Sequence, residues 1–356
     1  MNESWPVPRL IITERIKNKF YNVTLVKMLS ETVQVVVGVV TNNAGEFLLS
    51  KRALDAHQGG LWEFPGGKLE TGEDARHALN RELFEELGLI VNKARPFIRL
   101  FYEYPEKSVI LNVWLVQEWE GLPYGKEGQL IQWCSRNNLH DVEFLPANEM
   151  IINALQLPAL YLISPGPTGN RMDMFISGIE ECIVAGARLL QLRCHEEVYK
   201  TQTGVIAKIL SICNKYNAKL LLNTTPATAV SLKAHGVHLN SVRLLQLNQR
   251  PLEKDFWVAA SCHNQIEMAH AERIGVDFVV LSPVEFTVSH PDAKPMGWRK
   301  FSELSEFTNI PVYALGGMLP ENMSKAWNNG AQGIAMLSGV WSSNMPAEVI
   351  RKCISV

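Results

Sequence analysis

Eight short apolar segments recur through the second half of the chain, and most are separated by stretches with helical periodicity. The apolar segments cover residues 160–164, 189–193, 220–223, 237–240, 258–262, 278–283, 312–317 and 333–337. The helical stretches include residues 175–185 and 205–215. Strands that alternate with helices form parallel sheets, and eight such units in about 200 residues are enough to close a barrel. The pattern therefore predicts a (β/α)8 TIM barrel over residues 157–356.

The first half of the chain has a different pattern, in which strands predominate around a single strong helix. The β-rich segments are residues 35–40, 47–50, 97–104 and 108–119, and the predicted helix is residues 75–87. Thr71, three residues before Asp74, resembles a capping box, and Gly88 is placed to end the helix. We therefore expect an α/β domain over residues 33–156, preceded by an N-terminal extension over residues 1–32.

Composition and charge limit the function classes. The chain has 356 residues, of which 47% are hydrophobic and 20% charged, and its net charge is −2. These values predict about two globular domains and give no electrostatic case for binding a nucleic-acid polymer. The apolar runs are too short to cross a membrane, and the first thirty residues lack the apolar core of a secretory signal. Six separated cysteines without a Cys-x-x-Cys pair predict reduced thiols, so we expect a cytoplasmic enzyme that acts on small molecules.

A cluster of acidic side chains lies on the predicted helix. Glu73 precedes it, and Arg81 is followed by Glu82, Glu85 and Glu86. Residues three and four apart share a helix face, so the last three carboxylates crowd together. Like charges at these spacings destabilise a helix by about 0.2–0.5 kcal/mol per pair. The cluster therefore predicts a site for Mg²⁺, which prefers carboxylate and phosphate oxygens, with a solvated acidic surface as the alternative.

The full spacing resembles the Nudix box, G-x5-E-x7-R-E-U-x-E-E-x-G-U, in which U is a bulky aliphatic residue. Every fixed position is filled between Gly67 and Leu89. The resemblance implies an α/β/α sandwich with a mixed sheet and pyrophosphate hydrolysis that depends on Mg²⁺, with Mn²⁺ as the alternative. The metal ligands that it implies are Gly66, Gly67, Glu82, Glu85, Glu86 and Glu127. It also implies catalytic roles for Glu82, Glu73 and Glu86, with Glu82 preferred as the base and Glu73 as the alternative.

Outside the box, the chain from Gln34 to Asn148 resembles the MutT-type enzymes, which are 8-oxo-dGTP diphosphatases. The shared segments are residues 51–53, 55–57, 63–68, 119–121, 125–129 and 146–149. The resemblance implies substrate contacts from Arg52, His57, Glu63, Phe64, Pro65, Gly66, Tyr104 and Asn148. The amide of Asn148 would offer a donor and an acceptor to a purine edge. We therefore expect hydrolysis of 8-oxo-dGTP to 8-oxo-dGMP and pyrophosphate, which removes an oxidised DNA precursor from the nucleotide pool.

The second half resembles thiamine-phosphate synthase and its relative TenI over residues 158–342. The shared segments are residues 186–193, 236–239, 261–263, 282–284, 290–293, 315–317 and 320–322. The resemblance implies a phosphate site at Gly316, Gly317 and Ser338, because barrels often bind phosphate after the last two strands. It also places His263 at the position of the acting histidine of TenI.

The metal and pyrophosphate end departs from the synthase pattern. Thr224 and the segment Ser241-Val242-Arg243 stand where two acidic ligands are expected, and His195 and His290 replace two lysines. Without these carboxylates Mg²⁺ has no charged ligands there, so we expect no synthase activity. The barrel then binds a thiazole or thiamine phosphate, as a sensor or a tautomerase, or it only braces the protein. The fusion suggests a further alternative, in which the Nudix half hydrolyses diphosphates of the thiamine pathway.

Overall fold

A computed structural model describes residues 32–56, 58–105, 107–167, 171–287 and 292–355. The predicted N-terminal extension up to residue 31, His57 and His290 lie outside these residues. By its internal contacts the chain divides into two compact units, Met1–Leu155 and Gln156–Val356. None of the helices in the described part of the chain is long and apolar enough to cross a membrane.

The first unit is built on two small sheets. Its elements are β1 (Val33–Val40), β2 (Phe47–Lys51), β3 (Trp62–Glu63), β4 (Gly66–Lys68), α1 (Ala75–Leu87), β5 (Ile90–Glu103), β6 (Ser108–Glu120), β7 (Ile131–Cys134), a 3-10 turn (Arg136–Asp141) and α2 (Pro146–Leu155). One sheet has the order β4-β1-β6-β5, in which β1 and β6 are parallel and the other pairs antiparallel. The other sheet has the order β3-β2-β7 and is antiparallel.

Helix α1 covers one face of the four-stranded sheet because its leucines recur every four residues. Leu79 and Leu83 are fully buried in one cluster with Val36 of β1. Gly38 of β1 allows this close approach, since a Cβ there would lie 3.0 Å from the side chain of Leu83. Alternate residues of a strand face opposite sides, and Val37 belongs to the cluster that α2 completes. A mixed sheet between two helices confirms the predicted α/β/α sandwich.

Two residues cap helix α1. The backbone of Asp74 is extended, and its carboxylate accepts a hydrogen bond from the backbone N–H of His77 at 2.9 Å. Gly88 adopts the left-handed conformation, with a φ of 70°, and ends the helix as predicted. The predicted capping box at Thr71 is wrong, because the helix begins directly after Asp74 and Thr71 lies exposed in the preceding turn. Only the residue next to the first turn can reach its free amides.

The second unit alternates strands and helices throughout. Its elements are β8 (Leu160–Ser164), α3 (Met172–Val184), β9 (Leu189–Leu192), α4 (Glu196–Thr201), α5 (Thr203–Lys215), β10 (Lys219–Leu222), α6 (Pro226–Ser231), β11 (Gly236–Leu239), α7 (Ser241–Leu245), β12 (Trp257–Cys262), α8 (Gln265–Arg273), β13 (Phe278–Leu281), α9 (Gly297–Ser305), β14 (Val312–Ala314), a 3-10 turn (Pro320–Asn322), α10 (Met323–Asn328), β15 (Gly333–Met336), α11 (Ser338–Trp341) and α12 (Pro346–Ile354). The eight strands pair in parallel and in chain order, and β15 pairs with β8 to close the barrel. The predicted (β/α)8 barrel is therefore confirmed.

Several predicted strands extend past the carboxyl ends of the observed ones. The predicted segments 278–283 and 312–317 end as strands at Leu281 and Ala314. Hydrophobicity alone cannot separate the end of a strand from an apolar loop that continues it. The residues beyond these ends, Gly316 and Gly317 among them, form the rim of the cavity described below.

An aromatic layer fills the barrel interior. The rings of Tyr161, Phe278 and Tyr313 contact one another, with centroids 5.2–5.7 Å apart. Residues that follow them on the same strands, such as Ile163 and Val280, line the cavity instead. The packed layer therefore forms the floor of a cavity that opens at the carboxyl ends of the strands.

We expect Asp74→Ala to destabilise the first turn of α1 by about 1 kcal/mol, because it removes the acceptor for the His77 amide. First-turn amides of the full-length protein should then exchange hydrogen about fivefold faster. Thr71→Ala is the matched control and should leave the exchange rates unchanged. An equal or larger effect of Thr71→Ala would contradict the assignment of Asp74 as the cap.

Candidate active site and barrel cavity

Arg81 is the cation at the centre of the acidic cluster. Its guanidinium donates to both oxygens of Glu73, at 3.1 and 2.9 Å, and so ties the loop before α1 to the helix. The same group donates to Glu82 at 2.9 Å and to Glu85 at 3.2 Å. One positive charge is therefore shared by three carboxylates, which leaves the cluster under-neutralised.

Two glycines of β4 bring the backbone against the carboxylates of α1. The N–H of Gly66 donates to the carboxylate of Glu86 at 3.2 Å. A Cβ on Gly67 would lie 2.2 Å from Cδ of Glu82, so any side chain at this position would displace that carboxylate. A Cβ on Gly66 would likewise lie 2.1 Å from the carbonyl oxygen of Val36. The paired glycines are required because the strand and the helix approach each other this closely.

The ionised forms of the carboxylates at this site are electrostatically unfavourable. Burial, assisted by the nearby charges of Glu63, Glu82 and Glu127, raises the pKa of Glu86 to about 8. Burial also raises the pKa of Glu82, against the lowering effect of Arg81. Desolvation and like charges both disfavour the ionised form, and a bound cation relieves both.

Glu127 belongs to a loop that is hydrogen-bonded to the carboxyl end of α1. The backbone N–H of Lys126 and the side-chain amide of Gln129 both donate to the carbonyl oxygen of Glu86, each at 3.0 Å. The backbone N–H of Glu127 donates to the Gln129 side chain at 2.9 Å. A Cβ on Gly125 would lie 1.9 Å from the carbonyl oxygen of Gln129, so the tight turn requires glycine. Gln129 thus positions the loop, a role that sequence reasoning missed although the residue lies in a matched segment.

The donor set suits a hard divalent cation, but the side chains do not yet surround one point. Within the described ranges, no three His, Cys, Asp or Glu side chains are grouped so that they could hold a metal ion. The side chain of Glu85 is 55% exposed and bonded to Arg81. The fold thus gathers oxygen ligands of the type that Mg²⁺ prefers, whereas their roles as ligands stay predictions.

The predicted base-pocket residues converge at the start of α2. The side-chain oxygen of Asn148 accepts a hydrogen bond from the backbone N–H of Phe64 at 3.2 Å, and only 5% of Asn148 is exposed. Phe64 is 2% exposed and its ring stacks on Phe144, which the sequence did not single out, with centroids 5.7 Å apart. The carbonyl of the buried Pro65 accepts from the N–H of Gly38 at 2.8 Å.

The polar rim of this region is formed by ion pairing and aromatic contact. Arg52 donates to both carboxylate oxygens of Glu63, at 2.9 and 2.7 Å. Burial raises the pKa of Glu63 despite this partner. The ring of Tyr104 contacts that of Tyr102 at 4.6 Å between centroids. Arg52 and Glu63 thus form an ion pair at the edge of the predicted base pocket. His57 lies outside the described residues.

The barrel unit contains a cavity of about 1250 Å³ at the carboxyl ends of its strands. Its lining includes all four residues predicted for this half: Gly316, Gly317, Ser338 and His263. The backbone of Gly316 and Gly317 is left-handed, with φ of 102° and 68°. Nδ1 of His263 lies 2.9 Å from the carboxylate of Glu267. The cavity is large enough for a small organic phosphate.

Two residues from the positions where acidic ligands were expected both contact Glu196: Thr224, and Arg243 of the segment 241–243. The hydroxyl of Thr224 donates to one carboxylate oxygen of Glu196 at 2.7 Å, and Arg243 forms an ion pair with the other. Glu196 lines the cavity, but sequence reasoning did not single it out. Its position directly after His195, beyond the end of β9, was the available signal. This side of the cavity holds a guanidinium–carboxylate pair, not a pair of acidic ligands.

Comparisons with known proteins separate the two units. The family model for the NUDIX domain matches residues 36–154, and the model for thiamine monophosphate synthase matches residues 160–340. The 8-oxo-dGTP diphosphatase of Escherichia coli (strain K12) is 44% identical over 124 residues, which are 35% of this chain and 96% of that protein. The putative thiamine-phosphate synthase 2 of Aquifex aeolicus (strain VF5) is 35% identical over 188 residues, which are 52% of this chain and 98% of that protein.

A second 8-oxo-dGTP diphosphatase, from Haemophilus influenzae, is 38% identical over 123 residues, which are 35% of this chain and 90% of that protein. Each unit thus matches the relatives named here over nearly their whole length. The chain therefore belongs to the Nudix hydrolases through its first unit and to the thiamine monophosphate synthase family through its second.

Proposed function

We propose that the first unit hydrolyses 8-oxo-dGTP to 8-oxo-dGMP and pyrophosphate, and so removes an oxidised precursor from the nucleotide pool. The observation that carries this proposal is the gathering of the Glu82 and Glu86 carboxylates against the Gly66–Gly67 backbone. The match to the NUDIX model spans both the acidic helix and Asn148, and the relatives of this unit include 8-oxo-dGTP diphosphatases.

Glu82, Glu85, Glu86 and Glu127, with a carbonyl of the Gly66–Gly67 turn, would hold Mg²⁺. When bound, Mg²⁺ supplies charge neutralisation for phosphate oxygens and lowers the pKa of a coordinated water. Arg81 already occupies both oxygens of Glu73, and this favours Glu82 as the residue that takes a proton from the attacking water. Glu73 then acts by holding Arg81, the internal counter-ion of the cluster.

Asn148 would read the purine base. Its amide is fixed by the hydrogen bond from Phe64, and a fixed amide separates donors from acceptors on a purine edge. 8-oxoguanine carries an N–H at position 7 where guanine has an acceptor, so the two bases present different edges. A buried amide that is left unpaired by the wrong base would disfavour that base.

The cavity favours a second function, binding of a thiazole or thiamine phosphate by the barrel without synthase chemistry. Gly316 and Gly317 would offer backbone N–H groups to the phosphate, and the two carboxylates among the described lining residues, Glu196 and Asp292, follow different strands. A substrate panel distinguishes the proposed hydrolysis of 8-oxo-dGTP from the alternative in which the Nudix unit hydrolyses thiamine-pathway diphosphates. A higher kcat/KM for such a diphosphate than for 8-oxo-dGTP would replace the proposed substrate.

We expect Glu82→Gln to lower kcat for 8-oxo-dGTP with Mg²⁺ by about 10²–10⁴-fold, because an amide is neither an anionic ligand nor a base. Glu70→Gln is the matched control, since Glu70 is exposed in the same loop region and carries the same charge. Turnover is measured as pyrophosphate release, with circular dichroism to show that both variants are folded. Near wild-type turnover in a folded Glu82→Gln enzyme would refute the assignment.

We expect Asn148→Asp to reduce the preference for 8-oxo-dGTP over dGTP by about tenfold or more in kcat/KM, because it removes the amide donor. The aspartate keeps an acceptor for the N–H of Phe64, so the structural hydrogen bond survives. Asn148→Ala removes both functions and should also narrow the preference. Equal loss of rate on both nucleotides in both variants would assign Asn148 a structural role only.

We expect the full-length protein to form no thiamine phosphate from the two synthase substrates in the presence of Mg²⁺. The residues in place of the acidic ligands are a hydroxyl that donates to Glu196 and a guanidinium, and neither supplies an anionic ligand for Mg²⁺. Mass spectrometry of the mixture detects the coupled product directly. Multiple turnovers would show that other residues have replaced the missing carboxylates.

A further inference from the structure

The Arg243–Glu196 pair lies in a continuous polar network along one wall of the barrel cavity. Arg243 donates to the side-chain oxygen of Asn223 at 3.2 Å, and Asn223 donates to Gln191 at 3.1 Å. Thr224 donates to the oxygen of Glu196 that Arg243 leaves open. The guanidinium is therefore held from two sides, by Asn223 directly after β10 and by Glu196 at the start of α4.

Helix α7 also fixes the backbone that carries Arg243. Asn240 caps this helix by accepting a hydrogen bond from the backbone N–H of Arg243 at 2.9 Å. The side chains of Arg243 and Glu196 keep 24% and 41% of their exposure, so solvent and ligands reach the pair. The cation is thus anchored at its backbone and accessible at its guanidinium.

We infer that Arg243 takes the place of a metal ion and makes this end of the cavity a metal-independent site for an oxyanion, with Glu196 as its displaceable counter-ion. A guanidinium presents several donors in one plane and matches phosphate oxygens in pairs. A partly exposed ion pair contributes little to stability, so an incoming anion displaces the Glu196 carboxylate at small cost. The ligand class is a compound with a phosphate, diphosphate or similar oxyanion at this end.

The charges around the pair support an anion over a cation. Arg193, a second guanidinium, lines the same cavity at the end of β9, and its charge contributes to lowering the pKa of the buried His238. Among the described lining residues, the other carboxylate is Asp292, which follows β13, four strands away around the barrel. Glu196 is therefore the carboxylate that Arg243 binds, and its displacement leaves the Arg243 guanidinium for the ligand, in a cavity that Arg193 also lines.

The test uses the full-length protein and inorganic pyrophosphate as the probe, with EDTA present so that no divalent cation contributes. Isothermal titration calorimetry gives the Kd of the wild type and of three variants. Glu196→Gln keeps the size and one acceptor oxygen of the counter-ion but removes its charge, so we expect pyrophosphate to bind about tenfold more tightly. Arg243→Met should weaken binding by about tenfold or more, with Arg243→Lys in between because it keeps the charge and loses the paired donors.

Tighter binding by Glu196→Gln cannot result from misfolding, so this variant keeps the test decisive even if Arg243→Met is unstable. No binding by wild type and Glu196→Gln in EDTA, or equal affinity in both, would overturn the inference. Undiminished binding by folded Arg243→Met would do the same. The inference rests on the proposed phosphate-binding role of the barrel. The two can nevertheless fail independently, because binding of a thiazole phosphate at Gly316 and Gly317 does not require Arg243.

Discussion

Repulsion between carboxylates is the constraint on which the first unit depends. Helix α1 must hold three glutamates on one face although each approach of like charges weakens the helix. The opposite face compensates, since Leu79 and Leu83 are fully buried against the sheet, where Gly38 leaves room for them. Arg81 brings one guanidinium to these glutamates, through hydrogen bonds to Glu82 and Glu85. The incomplete neutralisation is the chemical basis of the proposed cation site.

The barrel cavity has the opposite balance of charge, because here a carboxylate is paired with a guanidinium. Its cavity holds a carboxylate at Glu196, one oxygen of which binds a guanidinium and the other a hydroxyl. The first unit therefore has carboxylates in excess of its cation, whereas this end of the barrel has guanidinium groups that an anion can reach. Both arrangements suit phosphate chemistry, one through a metal ion and the other through arginine.

Local signals explain what the sequence predicted well. The end of α1 followed from Gly88 and its buried face from leucine spacing, whereas its cap is Asp74 and not the predicted Thr71. The eight barrel strands followed from apolar runs. The strands β3 and β4 were missed because two or three residues carry no periodicity. The packing of Asn148 on the Phe64 backbone, 84 residues away, could not be seen in either segment alone. Distances of this kind depend on the fold and not on the neighbouring sequence.

The same limit explains how the barrel substitutions were interpreted from sequence. Compared with the family pattern one position at a time, Thr224 and Arg243 show only that acidic ligands are missing. In the structure both residues contact Glu196. An aspartate at position 224 would place a second carboxylate beside Glu196, while a threonine hydroxyl donates a hydrogen bond to it. Arginine at position 243 then neutralises the remaining charge. The two substitutions are therefore mutually consistent. An acidic residue restored at only one of the two positions would face either Glu196 or the Arg243 guanidinium. Reverting a single position therefore does not recover a metal site.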